Sequence, residues 1–403
     1  MFKLSNRMNA IQPSPTLALN AKAAQLRADG VDIVNFSLGE PNFNTPLWIQ
    51  EAAIQAMQQG LTKYTPTDGI PILKQAIQKK LSRDYKLDYE LDLITVGAGT
   101  KQLIFNAFMA SLNPGDEVII PAPYWVSYPE LVRFFGGVPV IVSGSPENEF
   151  KLTADQLKAR ITPKTRWVII NSPNNPTGAV YSHDELRQIA DVLMEHFHVH
   201  VLSDDIYEHL TYDDVKFSSI VKVEPRLKFR TLICNGVSKA YAMTGWRLGF
   251  AAGALDLIQA LNLLQSQSTS NPCSISQAAA ASALNGPHSF LIDWRQSFDE
   301  RRTATHNVIS AIPGLSCEMP KGAFYLYVNC ERLLGLLTPN GEVLRSDHDV
   351  CAYLLEEAKV MVIGGSAFGL SPYFRISYAT SMENLMEGCQ RIEKAVRRLV
   401  PGH

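Results

Sequence analysis

One lysine, Lys239, sits in Cys234-Asn-Gly-Val-Ser-Lys239-Ala-Tyr-Ala-Met-Thr-Gly-Trp-Arg247-Leu-Gly, between an apolar run and small residues, with Arg247 eight positions on. Most lysines are solvated surface charges. An ε-amine just past the end of a buried strand, partly desolvated and near a second cation, instead has a lowered pKa and attacks carbonyls. Four more segments support the second reading. Pro123-Tyr-Trp125, Asn174-Asn175-Pro-Thr-Gly and Ser203-Asp204-Asp-Ile-Tyr207 each follow an apolar run, and Phe374-Arg375-Ile-Ser lies near the end. An amine, a carboxyl, a phenol, an amide, an indole and a guanidinium thus stand at strand ends, where open α/β sheets bind ligands.

The elements that must carry these groups follow from the pattern. Between about Leu91 and Ala252, short β-rich runs alternate with helical spacing, as a mostly parallel sheet with helices on both faces requires. The strand candidates are Leu93 to Val96, Val118 to Ile120, Val138 to Val142, Trp167 to Ile170, Val199 to Leu202, Thr231 to Cys234 and Leu248 to Ala251. Several are apolar on both faces, which suits strands covered on each side. Lys101 to Leu112 and Asp184 to His196 read as helices, and Asn113-Pro-Gly-Asp and Asn174-Asn-Pro-Thr-Gly as turns. Past Asn285-Gly-Pro a charged helix begins near Ser289. Strands at Ala323 to Val328 and Phe374 to Ser377, with helices at Asp347 to Lys359 and Glu383 to Leu399, read as a smaller α+β domain. The expected division is 1–48 as an arm and part of the small domain, 49–288 as the large domain, and 289–403 as the small one.

With 403 residues, 46% of them apolar and 19% charged, the chain has the composition of an ordinary globular protein and a length that calls for two domains. A net charge of −2 gives no reason to expect nucleic acid or an anionic membrane as partner. Six widely spaced cysteines without a C-x-x-C pair fit reduced thiols, and no apolar run is long enough to span a bilayer. A cytoplasmic protein is expected.

Together and in this order, from Ser37-Leu-Gly-Glu-Pro to Arg375-Ile-Ser-Tyr, the segments resemble the class I aminotransferases of the aspartate aminotransferase family, in particular its bacterial aspartate and aspartate/prephenate branch. The resemblance implies the fold type I of pyridoxal phosphate-dependent transferases and a homodimer that shares its active sites. It implies that Lys239 joins pyridoxal 5'-phosphate covalently and then shuttles the substrate proton. Asp204 would pair with the pyridine nitrogen, and an ionised carboxylate there keeps that nitrogen protonated. Tyr207 and Asn175 would donate to the ring's phenolic oxygen, and Trp125 would stack on the ring. Asp205 reads as a helix cap or surface acid, and Asn174 as a turn residue.

For the phosphate, Gly99-Thr100-Lys101 opens a helix, whose first N–H groups and dipole attract an anion. Gly97 and Gly99 do not complete a G-x-G-x-x-G fingerprint, which argues against a dinucleotide. By resemblance Ser238 and Arg247 complete the phosphate site, and Tyr64 reaches it from the neighbouring subunit. Arg375 would grip the substrate α-carboxylate through two parallel hydrogen bonds, with Asn175 and the Gly39 backbone beside it. Lys101 stands where one branch of the family binds a distal carboxylate, and Ser14-Pro-Thr16 resembles the segment that closes over that site.

The implied reaction is a ping-pong transfer of the amino group of L-aspartate to 2-oxoglutarate, giving oxaloacetate and L-glutamate. Other preferred substrates are alternatives: prephenate paired with glutamate, or an aromatic donor. Several relatives that use prephenate carry a basic residue where this chain has Gln12. A lyase on the same scaffold is a further alternative, because one fold hosts several chemistries. Related domains also occur as sensing parts of transcription regulators, but no basic winged-helix segment accompanies this one. His196-Phe-His198-Val-His200 could present three imidazoles to a metal; a helix end leading into a buried strand is the preferred reading, and no metal is expected. Pro13 and Pro15 read as a stiff arm.

Overall fold

The computed structural model describes residues 2–11 and 17–402. Gln12, Pro13, Ser14, Pro15 and Thr16, on which the arm and the closing segment were expected, lie outside the described residues.

The main sheet contains β1 (Ile94–Gly97), β2 (Glu117–Ala122), β3 (Val138–Ser143), β4 (Thr165–Asn171), β5 (His200–Asp204), β6 (Thr231–Gly236) and β7 (Gly249–Ala252). Their spatial order is β1-β7-β6-β5-β4-β2-β3. Strands β2 to β6 pair in parallel, and β7 alone runs against both neighbours. All seven strand candidates are therefore strands. Val118, Ile119 and Ile120 of β2 are all inaccessible, as are Leu232, Ile233 and Cys234 of β6. One cluster of buried side chains covers each face of the sheet.

The covering helices follow local rules. The helix His183–Glu195 starts in a capping box between Ser182 and Glu185 and buries Leu186, Ile189, Ala190 and Leu193 on one face. The helix Thr100–Ser111 buries Leu103, Ile104, Ala107 and Phe108. From β4 the chain steps outward through β5 and β6; from β2 it steps the other way to β3. The order reverses between β2 and β4, and ligands bind beyond the carboxyl ends at such a reversal.

A second sheet joins Tyr325–Asn329, Tyr373–Ser377 and Ile363–Gly364, all antiparallel. The last strand is only two residues long, too short for a periodicity to announce it. Val34–Asn35 pairs in parallel with Val360–Met361, and Ser377 N–H donates to Phe36 O at 2.8 Å. This pairing carries Ser37 and Gly39 to the strand that holds Arg375. The helix Met382–Val396 packs behind it on Leu385, Cys389, Ile392 and Val396. The region expected as one helix from Asp347 to Lys359 is α-helical over Asp347–Tyr353 and continues as a π turn over Leu354–Ala358. Among the described residues no helix is long and apolar enough to cross a membrane.

Candidate active site

A cavity of about 350 Å³ opens beyond the carboxyl ends of β2, β4, β5 and β6, and residues of the second sheet close its far side. Gly39, Thr100, Lys101, Trp125, Asn175, Asp204, Tyr207, Ser238, Lys239, Arg247 and Arg375 all line it. Eleven of the residues singled out in the sequence, from segments far apart in the chain, therefore share one space.

Asp204 ends β5 and is buried. Tyr128 OH donates to its Oδ2 at 2.6 Å, while Oδ1 has no partner among the described residues. Burial pushes this carboxyl up to about 6, although the Tyr128 and Ile206 hydrogen bonds and Lys239 favour its charged form. A buried carboxylate that lines a cavity with one oxygen unpartnered calls for a donor from a ligand, ideally a cationic N–H. Lys239 follows β6, and its Nζ donates to Gly39 O at 2.5 Å. Burial lowers its pKa to about 8, with Arg375 and Arg247 adding to the effect and Glu40 and Asp204 opposing it. The lowered pKa raises the share of neutral amine, the form a carbonyl nucleophile requires.

An anion cradle lies beside this pair. Gly99, with φ +86°, caps the helix Thr100–Ser111, and a Cβ on it would stand 2.5 Å from Arg247 Nη2. A Cβ on Gly249 would stand 2.4 Å from Thr100 N. Backbone N–H groups, Ser238 and the Arg247 fork thus converge because two glycines leave them room. Thr100 Oγ1 donates to Asn235 O at 3.0 Å, which ties the cradle to β6. These features fit a phosphate ester on an aromatic heterocycle: anion cradle, open carboxylate and soft amine lie along one cavity.

On the opposite wall Arg375 is buried, with Nη1 on Asn175 Oδ1 at 2.8 Å and Nη2 on Ser37 O at 2.7 Å. Its Nε has no partner among the described residues. Its guanidinium lies 4.4 Å from the Tyr325 ring centre and 5.1 Å from that of Phe368. Lys101 Nζ stands 4.8 Å from the Trp125 ring centre, and burial, with Arg247 nearby, lowers its pKa. Two cations therefore face one space, as a dicarboxylate requires.

One sequence reading at the site, that of Asp205, is corrected. Asp205 is neither a cap nor a surface acid: it is 1% exposed and accepts from Ser203 Oγ at 2.7 Å and Tyr85 OH at 2.9 Å. Tyr64 is absent from the cavity of its own chain and is 91% exposed. Gly39 meets Lys239 through its carbonyl. Asn174 does hold the turn, its Oδ1 accepting from Thr177 N at 3.1 Å. His198 Nε2 contacts Thr162 O at 3.0 Å. Among the described residues the only group with metal-ligand spacing is Asp84, Glu208 and His209, with none of the three histidines singled out.

Residues missed in the sequence are Tyr128, Asn171 and Tyr325. Asn171 Nδ2 donates to Asp204 O at 2.9 Å while its Oδ1 accepts from Asn175 N at 3.0 Å, so one side chain sets both. Tyr325 OH is 2.7 Å from Tyr207 OH. Only the position of Tyr128, three residues past Trp125, carried any signal.

Residues 31–392 match the family described as aminotransferase class I and II. A Rickettsia bellii protein named probable aspartate/prephenate aminotransferase is 53% identical over 98% of this chain and 99% of its own. The aspartate aminotransferase of Rhizobium meliloti is 51% identical over 99% and 97%. A crystal structure of an aspartate aminotransferase from Rhizobium meliloti, 51% identical, superposes with a TM-score of 0.97 over 99% of this chain and all of that one. The Thermus thermophilus aspartate aminotransferase solved with maleate is 41% identical, with a TM-score of 0.91 over 98% of this chain and all of that one.

Proposed function

Because this chain belongs to the class I and II aminotransferases, we propose that it transfers the amino group of L-aspartate to 2-oxoglutarate with pyridoxal 5'-phosphate as cofactor. The observation that carries the reading is the unpartnered Oδ1 of Asp204, a residue that lines the same cavity as Lys239. Once bound, the cofactor supplies an electron sink that makes the substrate Cα–H acidic. Asp204 holds a proton on the ring nitrogen, and Tyr128 and Asn171 hold Asp204 in place. Lys239 Nζ would take the proton from the substrate Cα and deliver it, within the same half-reaction, to the cofactor carbon that the amino group joins; the second substrate would be served by the reverse transfer. Tyr207 and Asn175 donate to the ring oxygen, and Trp125 covers the ring. The cradle of Gly99, Thr100, Ser238 and Arg247 holds the phosphate.

Arg375 binds the α-carboxylate, with Asn175 and Gly39 beside it, and Lys101 binds the distal one. Tyr64 serves the phosphate of a second copy. The exposed apolar side chains Leu47, Ile54, Met57, Leu61 and Ile72 in the same stretch support a homodimer. Separate buried clusters on the main sheet and behind Arg375 support a large domain over 49–288 and a small one formed by 1–48 and 289–403. Six free cysteines support a cytoplasmic location.

A panel of amino donors against 2-oxoglutarate tests this. Aspartate should give the highest kcat/KM, and absence of keto-acid-dependent turnover with every donor would refute the reading. Prephenate as acceptor is the second reading, favoured by the names of the Rickettsia relatives; including it in the panel decides between them.

A further inference from the structure

Asp347 is 2% exposed and enters no ion pair among the described residues, so its carboxylate is costly to bury unless hydrogen bonds compensate. It opens the helix Asp347–Tyr353, whose dipole favours an anion, and turns both oxygens onto a neighbouring loop. Oδ2 accepts from Ser366 N at 2.7 Å and Oδ1 from Ser371 Oγ at 2.9 Å. The two donors stand at opposite ends of a loop formed by the turn Gly365–Phe368, Gly369, Leu370 and Ser371. Tyr327 OH donates to Leu370 O inside it at 2.6 Å.

That loop belongs to the cavity. Ile363, just before it, and Phe368, at its tip, line the cavity, and the Phe368 ring faces the Arg375 guanidinium. It also reaches the main sheet: Tyr124 N–H donates to Phe368 O at 3.0 Å, next to Trp125. Gly369, with φ +79°, lies so near that a Cβ there would stand 2.4 Å from the Tyr124 ring. The loop therefore bridges the Arg375 strand and the Trp125 loop, and one buried acid holds it at two points.

We infer that Asp347 is a positioning residue for the carboxylate end of the substrate site. Held by Asp347, the loop presses Phe368 on Arg375 and walls the site with Ile363, so the guanidinium keeps one orientation. The inference rests on reading Arg375 as the substrate-carboxylate residue.

The test compares wild-type, Asp347→Asn, Asp347→Ala and Ser371→Ala holoenzymes. It measures the Kd of maleate, an unreactive dicarboxylate, the KM and kcat for aspartate, cofactor content and Tm. Asp347→Ala should raise the maleate Kd and aspartate KM by about tenfold to a hundredfold, the cost of a small misplacement. Cofactor content should hold, and kcat should fall less than KM rises. Asp347→Asn and Ser371→Ala, each keeping one acceptor bond, should fall between. A lowered Tm with unchanged Kd would leave Asp347 a purely structural role and overturn the inference. Should Asp347→Ala not fold, Gly369→Ala displaces the same loop without touching the acid, and an unchanged Kd there also overturns it. If wild type binds no maleate, the Arg375 reading and the inference fall together; if it binds and the variants match it, the inference alone falls.

Discussion

Replacing Asp204 with asparagine should stabilise the cofactor-free protein while disabling the enzyme. Burial raises the Asp204 carboxyl from 3.8 to about 6. Below about pH 3.8 folded and unfolded chains both hold the proton. As pH rises toward 6 the unfolded chain releases it and the folded one does not, so stability is lost across that window and stays lost above it. A shift of 3.8 to about 6 is worth about 3 kcal/mol at pH 8 and about 1.6 kcal/mol at pH 5. An asparagine carries no such penalty, and its carbonyl oxygen can still accept from Tyr128. Urea unfolding of the two cofactor-free proteins should show the variant more stable, with a gap that roughly doubles between pH 5 and pH 8. Pyridoxal phosphate should narrow the gap, because the ring nitrogen supplies the cation that Oδ1 lacks, and the variant's kcat should fall about 10²–10³-fold with loss of that electrostatic contact. A pH-independent gap, or a wild type more stable at pH 8 without cofactor, would refute the reasoning.

Three further outcomes can be checked. Because the Lys239 amine titrates near 8, the rate at which cofactor-free protein takes up pyridoxal phosphate should climb with pH and level off above about 8, followed by absorbance; Lys239→Ala should leave no absorbance fixed by borohydride. Lys101→Ala should cut kcat/KM for aspartate about 10- to 100-fold, the worth of one charged hydrogen bond, and leave alanine unchanged in steady-state assays; equal losses with both donors refute its role. Tyr64→Phe should weaken cofactor affinity about tenfold or more by equilibrium dialysis, and mixing it with Lys239→Ala should yield hybrid dimers that retain one intact site.

Reading depth differed between residues for physical reasons. Lys239, Asp204, Asn175 and Trp125 were legible because each follows an apolar run that had to be a buried strand, and strand ends converge. The short strand Ile363–Gly364 left no periodic signature, and the break at Tyr353 into a π turn changes hydrogen bonding without changing residue pattern. Asp205 misled because two adjacent acids look alike in sequence; its burial depends on Tyr85, which lies 120 positions away.

By itself, the order of residues determined the parallel sheet, the strand ends and the inventory of reactive groups, since periodicity and turn chemistry are local properties. Only the tertiary structure decided which oxygen of Asp204 has no partner, that Tyr128 and Asn171 hold Asp204 while Tyr325 meets Tyr207, and that Asp347 bonds the loop beside Arg375. Those facts arise from contacts between segments far apart in the chain, where packing rather than local preference sets the distance.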